Sequence, residues 1–480
     1  MFRQRFINKI RMSFEIEKIK IDKKIAFFRF KKLGNFYLLT NEFFFIKLSE
    51  EDFLKFIEGK LDQEGVVFNS LKRRGFIKGS NFNQEIINYQ LKNNFLLKRG
   101  VGLHIVVVTK RCNYLCVYCQ AGSPELQDPI YDMTEETAKK TVDFIFQSPK
   151  ECVTIEFQGG EPLINFKIIK FIIEYANEKN KTFKKDLRFA LITNLSLMTE
   201  EIYKYLIEKK VNICTSLDGP EKIHNENRPF KRKKGSYRIA YEWIKKAEGL
   251  KNKIAALPTL TKKSLENIEG IVDEYIKNKL NSIHFRSLSY LGNSGEDKNK
   301  SQIGYSCEEF ICAWKRGMDY VIQKNFEGID IRERGTLIIL DKIFKKLGST
   351  FLDLRSPCGA GIGQLAYFYD GRIYSCDEGR MVEEDVFLLG DVNNTYDQIT
   401  QGEKVKTLVI ASTLENFACD ECVYKPYCGI CPVSNYILYK NLFPNIKETD
   451  NCKIHTAMLD YIFLKMEDKE VLEIFKKWIT

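Results

Sequence analysis

Between residues 103 and 290, apolar runs of strand length alternate with helical periods, and this alternation limits the possible folds more than any other feature. "LHIVVVT", "CVTIEFQGG", "LRFALITN", "VNICTSLDG", "KIAALPTL" and "SIHFRSLSY" read as six strands. "TEETAKKTVDFIFQS", capped at Thr134, "NFKIIKFIIEYANEKN" and the stretches 199–210, 236–249 and 264–278 read as the intervening helices. Strands this apolar need helices on their outer side. The pattern therefore predicts an α/β fold, a closed barrel or a partial (β/α)6 barrel, with its chemistry at the C-terminal ends of the strands.

The flanks read differently. In 25–98, "AFFRFKKLGNFYLLTNEFFFIKL" alternates as strands punctuated at Gly34-Asn35 and Asn41-Glu42, and a helix follows from Ser49 with acids in its first turn. "EGVVFNSLKRRGFIKG" adds a helix and a short strand, giving either a winged-helix-like unit or an embellishment of the next domain. The remaining divisions are a barrel core over 99–300, a helical bridge over 301–354, a Cys-rich domain over 355–455 and a C-terminal helix over 456–480. The Cys-, Gly- and Tyr-rich stretch suits a fold organised around metal centres rather than a large apolar core. "HTAMLDYIFLKMEDKEVLEIFKKW" reads as one amphipathic helix.

No apolar run approaches the roughly 18 residues of a membrane span, and "MFRQRFINKIRMSF" has no apolar segment before a cleavage site, so the expectation is a cytoplasmic protein without a membrane partner. The net charge of +11 does not choose among partners, and the run "RPFKRKKG" at 228–235 reads as a solvated loop, so no nucleic acid is expected. Cysteine says more. Of 14 cysteines, ten stand in spaced clusters, which in a cytosolic chain points to metal more than to disulfides.

"TKRCNYLCVYCQAG" places Cys112, Cys116 and Cys119 on the loop that leaves the first barrel strand. Thiolates at C-x3-C-x2-C can ligate three irons of an iron–sulfur cube and leave the fourth open to a substrate or cosubstrate. An incomplete zinc site is the alternative. The motif, with Tyr118 before its third cysteine, resembles the radical S-adenosylmethionine (SAM) superfamily. That resemblance implies that SAM chelates the open iron and is cleaved to a 5′-deoxyadenosyl radical. Gly159, Gly160, Glu161 and Pro162 resemble the family's GGEP element, whose backbone approaches the methionyl ammonium. By the same resemblance Tyr118 covers the cluster, and Asn194, Ser216 and Asp218 stand near the ribose and methionyl groups. Arg228, after His224 in "HNENRP", either meets the SAM carboxylate or is an ordinary surface arginine.

A second field comprises Cys358, Gly371 and Cys376, then "CDECVYKPYCGIC", then Cys452. It resembles the SPASM extension of radical SAM enzymes, which implies two auxiliary [4Fe–4S] clusters, three in all. Cys419, Cys422, Cys428 and Cys452 would hold one. Cys358, Cys376 and Cys431 would hold the other, whose fourth ligand stays open: "GAGIGQLAY", including Gln364, offers no thiol, and a substrate thiolate, a water, a non-cysteine side chain or a spare cysteine such as Cys307 or Cys312 would complete it. The short spacing in "CGIC" departs from many relatives, and a zinc ribbon over 419–431 is the competing reading. Cys152, Cys214, Cys307 and Cys312 fit neither field and read as packed thiols.

Through "KKLGNFYLLTNEFFFIKLSEEDFLKFIEGKL", "RSPCGAGIGQLAYFYDGRIYSCDEGRM" and "YKPYCGICPV", the chain resembles, over nearly its whole length, the SPASM-bearing maturases of His-Xaa-Ser peptide systems. This implies a radical SAM oxidoreductase acting on a ribosomally made precursor peptide, of His-Xaa-Ser or thioether type. It also implies an electron donor such as flavodoxin or ferredoxin, a second radical SAM protein of the same system, and an N-terminal unit that captures a leader strand. Asp377 is the acid/base candidate, on the resemblance to sulfatase maturases, or else a structural carboxylate. Anaerobic sulfatase maturation is the alternative enzyme reading, and a noncatalytic iron–sulfur binding protein is the alternative outside enzymes.

Overall fold

A computed structural model describes residues 22, 24–78, 100–121, 128–230, 235–248, 254–295, 297–345, 354–415 and 417–480. The basic opening, the end of the N-terminal unit after Lys78 and residues 231–234 of the "RPFKRKKG" run lie outside the described residues. The described residues form two compact units. The first draws on Met1–Leu96, Lys342–Lys346 and Leu414–Cys428, and the second on Leu97–Asp341, Leu347–Thr413 and Gly429–Thr480.

In the first unit, β1 (Arg29–Leu33), β2 (Phe36–Thr40) and β3 (Phe45–Leu48) form an antiparallel sheet in the order β1-β2-β3. Gly34 makes the first turn at φ 59°, a conformation that favours glycine. Ser49 caps the helix Glu50–Glu58 by accepting from Asp52 N, as the sequence pattern predicts, and a second helix spans Val66–Arg73. The short strand after it is a single bridge between Ile25 and Ile77. Phe28, Phe30, Tyr37, Leu39, Phe53, Phe56 and Phe76 fill the space between sheet and helices, with Tyr37 stacked on Phe53 at 4.5 Å. Each such ring contributes about 1.5–3 kcal/mol on burial, enough for a small unit with a core of its own.

The second unit is built on an eight-stranded sheet. Five of its strands, β4 (Leu103–Thr109), β5 (Cys152–Gly159), β6 (Asp186–Ile192), β7 (Val211–Ser216) and β8 (Ala255–Leu257), run parallel in chain order. Helices Glu135–Ile145, Phe166–Phe183, Glu200–Glu208 and Ser236–Lys246 are among the segments connecting them, the first capped by Thr134. The α/β fold of parallel strands wrapped by helices is therefore present. The sixth expected strand is short: β9 (Ser282–Ile283) pairs in parallel with β10 (Arg332–Glu333) and does not join β8.

The Cys-rich stretch departs from expectation in a second way. It adds β11 (Gln364–Tyr367), parallel to β4, and then antiparallel β12 (Arg372–Tyr374) and β13 (Leu388–Asp391) to the same sheet. Leu103, Ile105 and Val107 from β4 share an apolar cluster with Ala360, Ala366, Phe368, Tyr374, Phe387, Leu408 and Val433. The stretch thus has a substantial apolar core, which its short strands hid from periodicity. The expected single C-terminal helix is two, Asp450–Lys465 and Lys469–Ile479, because Asp468 caps the second by accepting from Glu470 N and Val471 N.

Candidate active site and cluster ligands

The loop leaving β4 is held by backbone before it reaches its cysteines. Gly160 N donates to Thr109 O at 3.0 Å and Glu161 N to Arg111 O at 2.8 Å. A Cβ at Gly160 would stand 2.4 Å from Arg111 O and 2.6 Å from Lys110 O, and one at Gly159 would stand 2.4 Å from Thr109 O. These glycines are needed where two backbones meet directly, one strand-end against the next, immediately ahead of Cys112. Pro162 then opens a short 3-10 turn, whose Leu163 N donates to Glu161 Oε1.

Glu161 is 1% exposed and does not face solvent at all. Its carboxylate accepts from Thr193 Oγ1 at 2.6 Å, Asn194 N at 2.7 Å and Leu163 N at 3.0 Å. Burial raises its pKa to about 7 against the opposing pull of these three donors. Asn194 continues the chain of contacts: its Nδ2 donates to Asn113 Oδ1 at 3.0 Å, and Asn113 Nδ2 donates to Ser196 Oγ at 2.7 Å. Thus Glu161 and Asn194 join the ends of β5 and β6 to the cysteine loop.

The other side of the loop meets the end of β7. Tyr118, buried, donates to Asp218 Oδ2, and Arg228 donates to the same carboxylate from Nε at 3.1 Å and Nη2 at 3.3 Å. The guanidinium lies 5.1 Å over the Tyr118 ring. Thr259 N adds a fourth donor to Asp218 at 2.9 Å, and Asp218 N donates to His224 Nδ1 at 3.2 Å. Burial draws His224 down to about 4, keeping it a neutral acceptor. Arg228 is therefore not a surface arginine: its charge is matched inside the protein by Asp218. Ser216, half-buried, is the last residue of β7.

The donor set of this loop fits an iron–sulfur cluster with a small-molecule cosubstrate. Cys112, Cys116 and Cys119 are free thiols, and the Cys119 N to Cys116 O bond of 3.1 Å turns the last two together. Burial, first, and then the charges of Glu161, Cys116 and Cys119 push the Cys112 thiol up; burial pushes Cys116 up to about 12. Thiols so placed ionise when a metal takes the thiolate. Tyr114 Oη, beside Cys112, Cys116, Glu161 and Arg228, is buried with no hydrogen-bond partner, which leaves a polar group for a bound molecule to satisfy. Among the described residues no three His, Cys, Asp or Glu side chains converge as a single-ion site.

Cys358, Cys376 and Cys431 pack in one apolar cluster, all in the second unit. Burial raises the Cys376 thiol, and the charges of Glu378, Cys358 and Cys431 add to that. Cys376 caps the helix Asp377–Val382, its sulfur accepting from Gly379 N at 3.2 Å. Cys431 caps Pro432–Tyr439, accepting from Ser434 N at 3.4 Å. Helix N-termini favour thiolates, so this set too fits a metal cluster. Gln364 is buried at the start of β11.

Cys419, Cys422 and Cys428 belong to the first unit, where Cys422 N donates to Cys419 O at 3.0 Å and Cys428 N to Tyr424 O at 3.0 Å. Lys342 Nζ donates to Cys428 O at 3.0 Å, and burial pulls that lysine down to about 8. Cys452 belongs to the second unit, in the first turn of Asp450–Lys465, its N–H donating to Thr449 Oγ1. Of the four cysteines read as packed, Cys152, Cys214 and Cys307 are half-buried, whereas Cys312 is exposed on the outward face of the helix Cys307–Phe326.

Asp377 follows Cys376 and accepts from Arg380 Nε at 2.9 Å. Arg380, buried, donates from Nη2 to Gln158 Oε1 at 2.8 Å, and Gln158 Nε2 donates to Glu156 Oε1 at 2.7 Å. Burial raises Glu156, with the charge of Asp377 acting in the same direction. Glu156, Gln158 and Arg380 were not singled out from the sequence. Two polar residues at i and i+2 in an otherwise apolar parallel strand were the available signal.

Residues 106–278 match the Radical SAM superfamily. An uncharacterized protein of Methanocaldococcus jannaschii is 30% identical over 184 residues, which cover 38% of this chain and 62% of that one. The chain thus spans somewhat less than two thirds of that relative. The cysteine-type anaerobic sulfatase-maturating enzyme of Clostridium novyi is 21% identical over 341 residues, 69% of this chain and 87% of its own. The solved structure of anSMEcpe with bound AdoMet and Cp18Cys peptide superposes with a TM-score of 0.66 at 18% identity, over 79% of this chain and 99% of that one. Residues 106–278 thus carry a radical SAM domain, within an α/β fold that the chain shares with the solved structure of anSMEcpe.

Proposed function

We propose that the protein is a radical SAM peptide maturase that uses Cys112, Cys116 and Cys119 to hold the SAM-cleaving [4Fe–4S] cluster. The observation that carries this reading is the convergence at the ends of β4, β5, β6 and β7: the three thiols, the Gly159–Glu161 backbone, Asn194, and the Tyr118–Asp218–Arg228 group surround one loop. A cluster held there would supply the electron for reductive cleavage of SAM to a 5′-deoxyadenosyl radical. Glu161 and Asn194 fix the loop, and Asp218 keeps Arg228 charged and in place beside Tyr118.

Asp377 is the proton acceptor of this reading. Arg380 orients it at Oδ1 and is itself anchored by Gln158, one residue before the Gly-Gly pair, so the carboxylate is tied to the end of β5. The substrate is a ribosomally made precursor peptide of His-Xaa-Ser or thioether type, and residues 25–98 receive its leader on the sheet edge. Cys358, Cys376 and Cys431 hold one auxiliary cluster. Cys419, Cys422, Cys428 and Cys452 hold the other. A flavodoxin or ferredoxin reduces the enzyme in the cytoplasm, and a second radical SAM protein of the same system is a further partner. Sulfatase maturation is the second reading, favoured by the extent of the Clostridium novyi match.

Coexpression with the small Cys- or His-containing peptides encoded nearby, followed by mass spectrometry, tests the proposal. A mass loss of hydrogen confined to the peptide, dependent on Cys112, supports it. Conversion of a sulfatase cysteine to an aldehyde instead selects the second reading.

A further inference from the structure

The sheet of the first unit is buried on both faces, and only one face is occupied by its helices. Phe30, Tyr37 and Leu39 point to the helix side. The alternate residues Arg29, Lys31, Leu38 and Thr40 occupy the other face, with Arg29 directly opposite Thr40 and Lys31 opposite Leu38. Thr40 and Leu38 are both 0% exposed and Arg29 is 4% exposed, so this second face is covered.

Its cover is the segment that carries three of the cysteines. Arg29 Nε donates to Asp420 O at 2.6 Å, and Thr40 Oγ1 donates to Val423 O at 2.7 Å. Lys31 lies 5.2 Å over the Tyr424 ring. Arg29 Nη2 is paired with Glu42 at 2.6 Å, and its Nη1 is buried with no acceptor. Lys425, almost fully buried, binds Asp420 at 2.8 Å and Glu415 at 2.7 Å. Leu414–Cys428 accordingly belongs to the same compact unit as the N-terminal residues, although nearly 400 positions separate them in sequence.

We infer that this sheet face is the scaffold of the Cys419–Cys428 segment, with Arg29 and Thr40 acting as positioning residues for the auxiliary cluster its thiols hold. The two donors grip the backbone between the second and third cysteines and within the first pair, so they fix thiol spacing without touching a sulfur. Backbone carbonyls accept from them, which explains why no side-chain pattern around the cysteines announces the partnership. The unit read as a leader receptor is on this account also a condition for cluster assembly. The inference rests on the proposed ligand role of Cys419, Cys422 and Cys428.

The test uses the full chain, reconstituted anaerobically with iron and sulfide, and reads iron content, the electron paramagnetic resonance of each reduced cluster, and deoxyadenosine formed from SAM without peptide. Cys422→Ala identifies the signal of this auxiliary cluster. Thr40→Val, which keeps shape and removes the donor, and Arg29→Met should each shift or lose that signal, with loss of up to about four irons per chain. Thr40→Ser should restore it, and peptide-free deoxyadenosine should match the parent in all three. If Arg29→Met does not fold, the isosteric Thr40→Val decides. Parent-like iron and an unshifted signal in Thr40→Val, with Cys422→Ala losing both, would overturn the scaffold alone. An unaffected iron content in Cys422→Ala would overturn the ligand assignment and the scaffold together.

Discussion

Asp218→Asn keeps the outline of the side chain while removing the charge that four donors share. Tyr118 Oη, Arg228 Nε and Nη2, and Thr259 N all converge on its two oxygens. An amide offers one oxygen in place of two, turns an N–H group toward existing donors, and leaves the guanidinium without its counter-charge. Asp218 is fully buried and the Arg228 side chain is 11% exposed, so solvent screens little of this loss. Breaking one member of a buried ion pair costs about 3–5 kcal/mol. Arg228→Met should cost a similar amount by stranding Asp218, whereas the double variant buries neither charge. The coupling in the cycle should therefore be about 2–3 kcal/mol in favour of the pair. Urea titration of the reconstituted protein, followed by circular dichroism, measures it. Penalties that add to within about 0.5 kcal/mol would refute the argument that the pair acts as one unit.

Gly160→Ala places a methyl group against the carbonyls of Arg111 and Lys110, and strain of this kind costs about 1–3 kcal/mol; the expected result is a displaced loop that binds less iron at the SAM-cleaving cluster while the auxiliary signals persist. His104 is fully buried, its Nε2–H donating to Val101 O and its Nδ1 accepting from Tyr367 Oη, and burial lowers its pKa to about 3. The unfolded chain protonates this imidazole first, so its contribution to stability is complete above about pH 6.5 and falls away toward about pH 3; His104→Asn should flatten that part of a plot of melting temperature against pH. For the cluster proposed at Cys358, Cys376 and Cys431, a fourth position completed by substrate predicts that a Cys-containing precursor changes its resonance spectrum, and a spectrum indifferent to peptide would exclude the open site.

The strand–helix alternation was readable because parallel strands buried on both faces are apolar throughout, and because Thr134 and Ser49 are local caps that need no tertiary partner. The place of the cysteine loop, directly after β4, was readable for the same local reason. The sheet extension β11–β13 was not, since strands of three or four residues carry too little periodicity and their pairing with β4 is set by contacts 260 residues away in sequence. Asp218 was singled out, but its match with Arg228 depends on the turn of the intervening helix Glu221–Asn227. The Gly-Gly pair was assigned from the sequence to close approach of a methionyl ammonium, and its further cause, crowding by the backbone of Thr109–Arg111, depends on a neighbouring strand end that sequence does not show. The hold of Arg29 and Thr40 on backbone carbonyls leaves no trace in residue identity at positions 420 and 423.

The central claim is that Cys112, Cys116 and Cys119 hold the cluster that cleaves SAM. Its most direct test compares deoxyadenosine formation by the reduced, reconstituted parent with that of a Cys112→Ala, Cys116→Ala, Cys119→Ala variant, alongside iron analysis of both. The account predicts deoxyadenosine from the parent, none from the variant, and a loss of about four irons with the auxiliary iron retained. Undiminished SAM cleavage by the variant would contradict it.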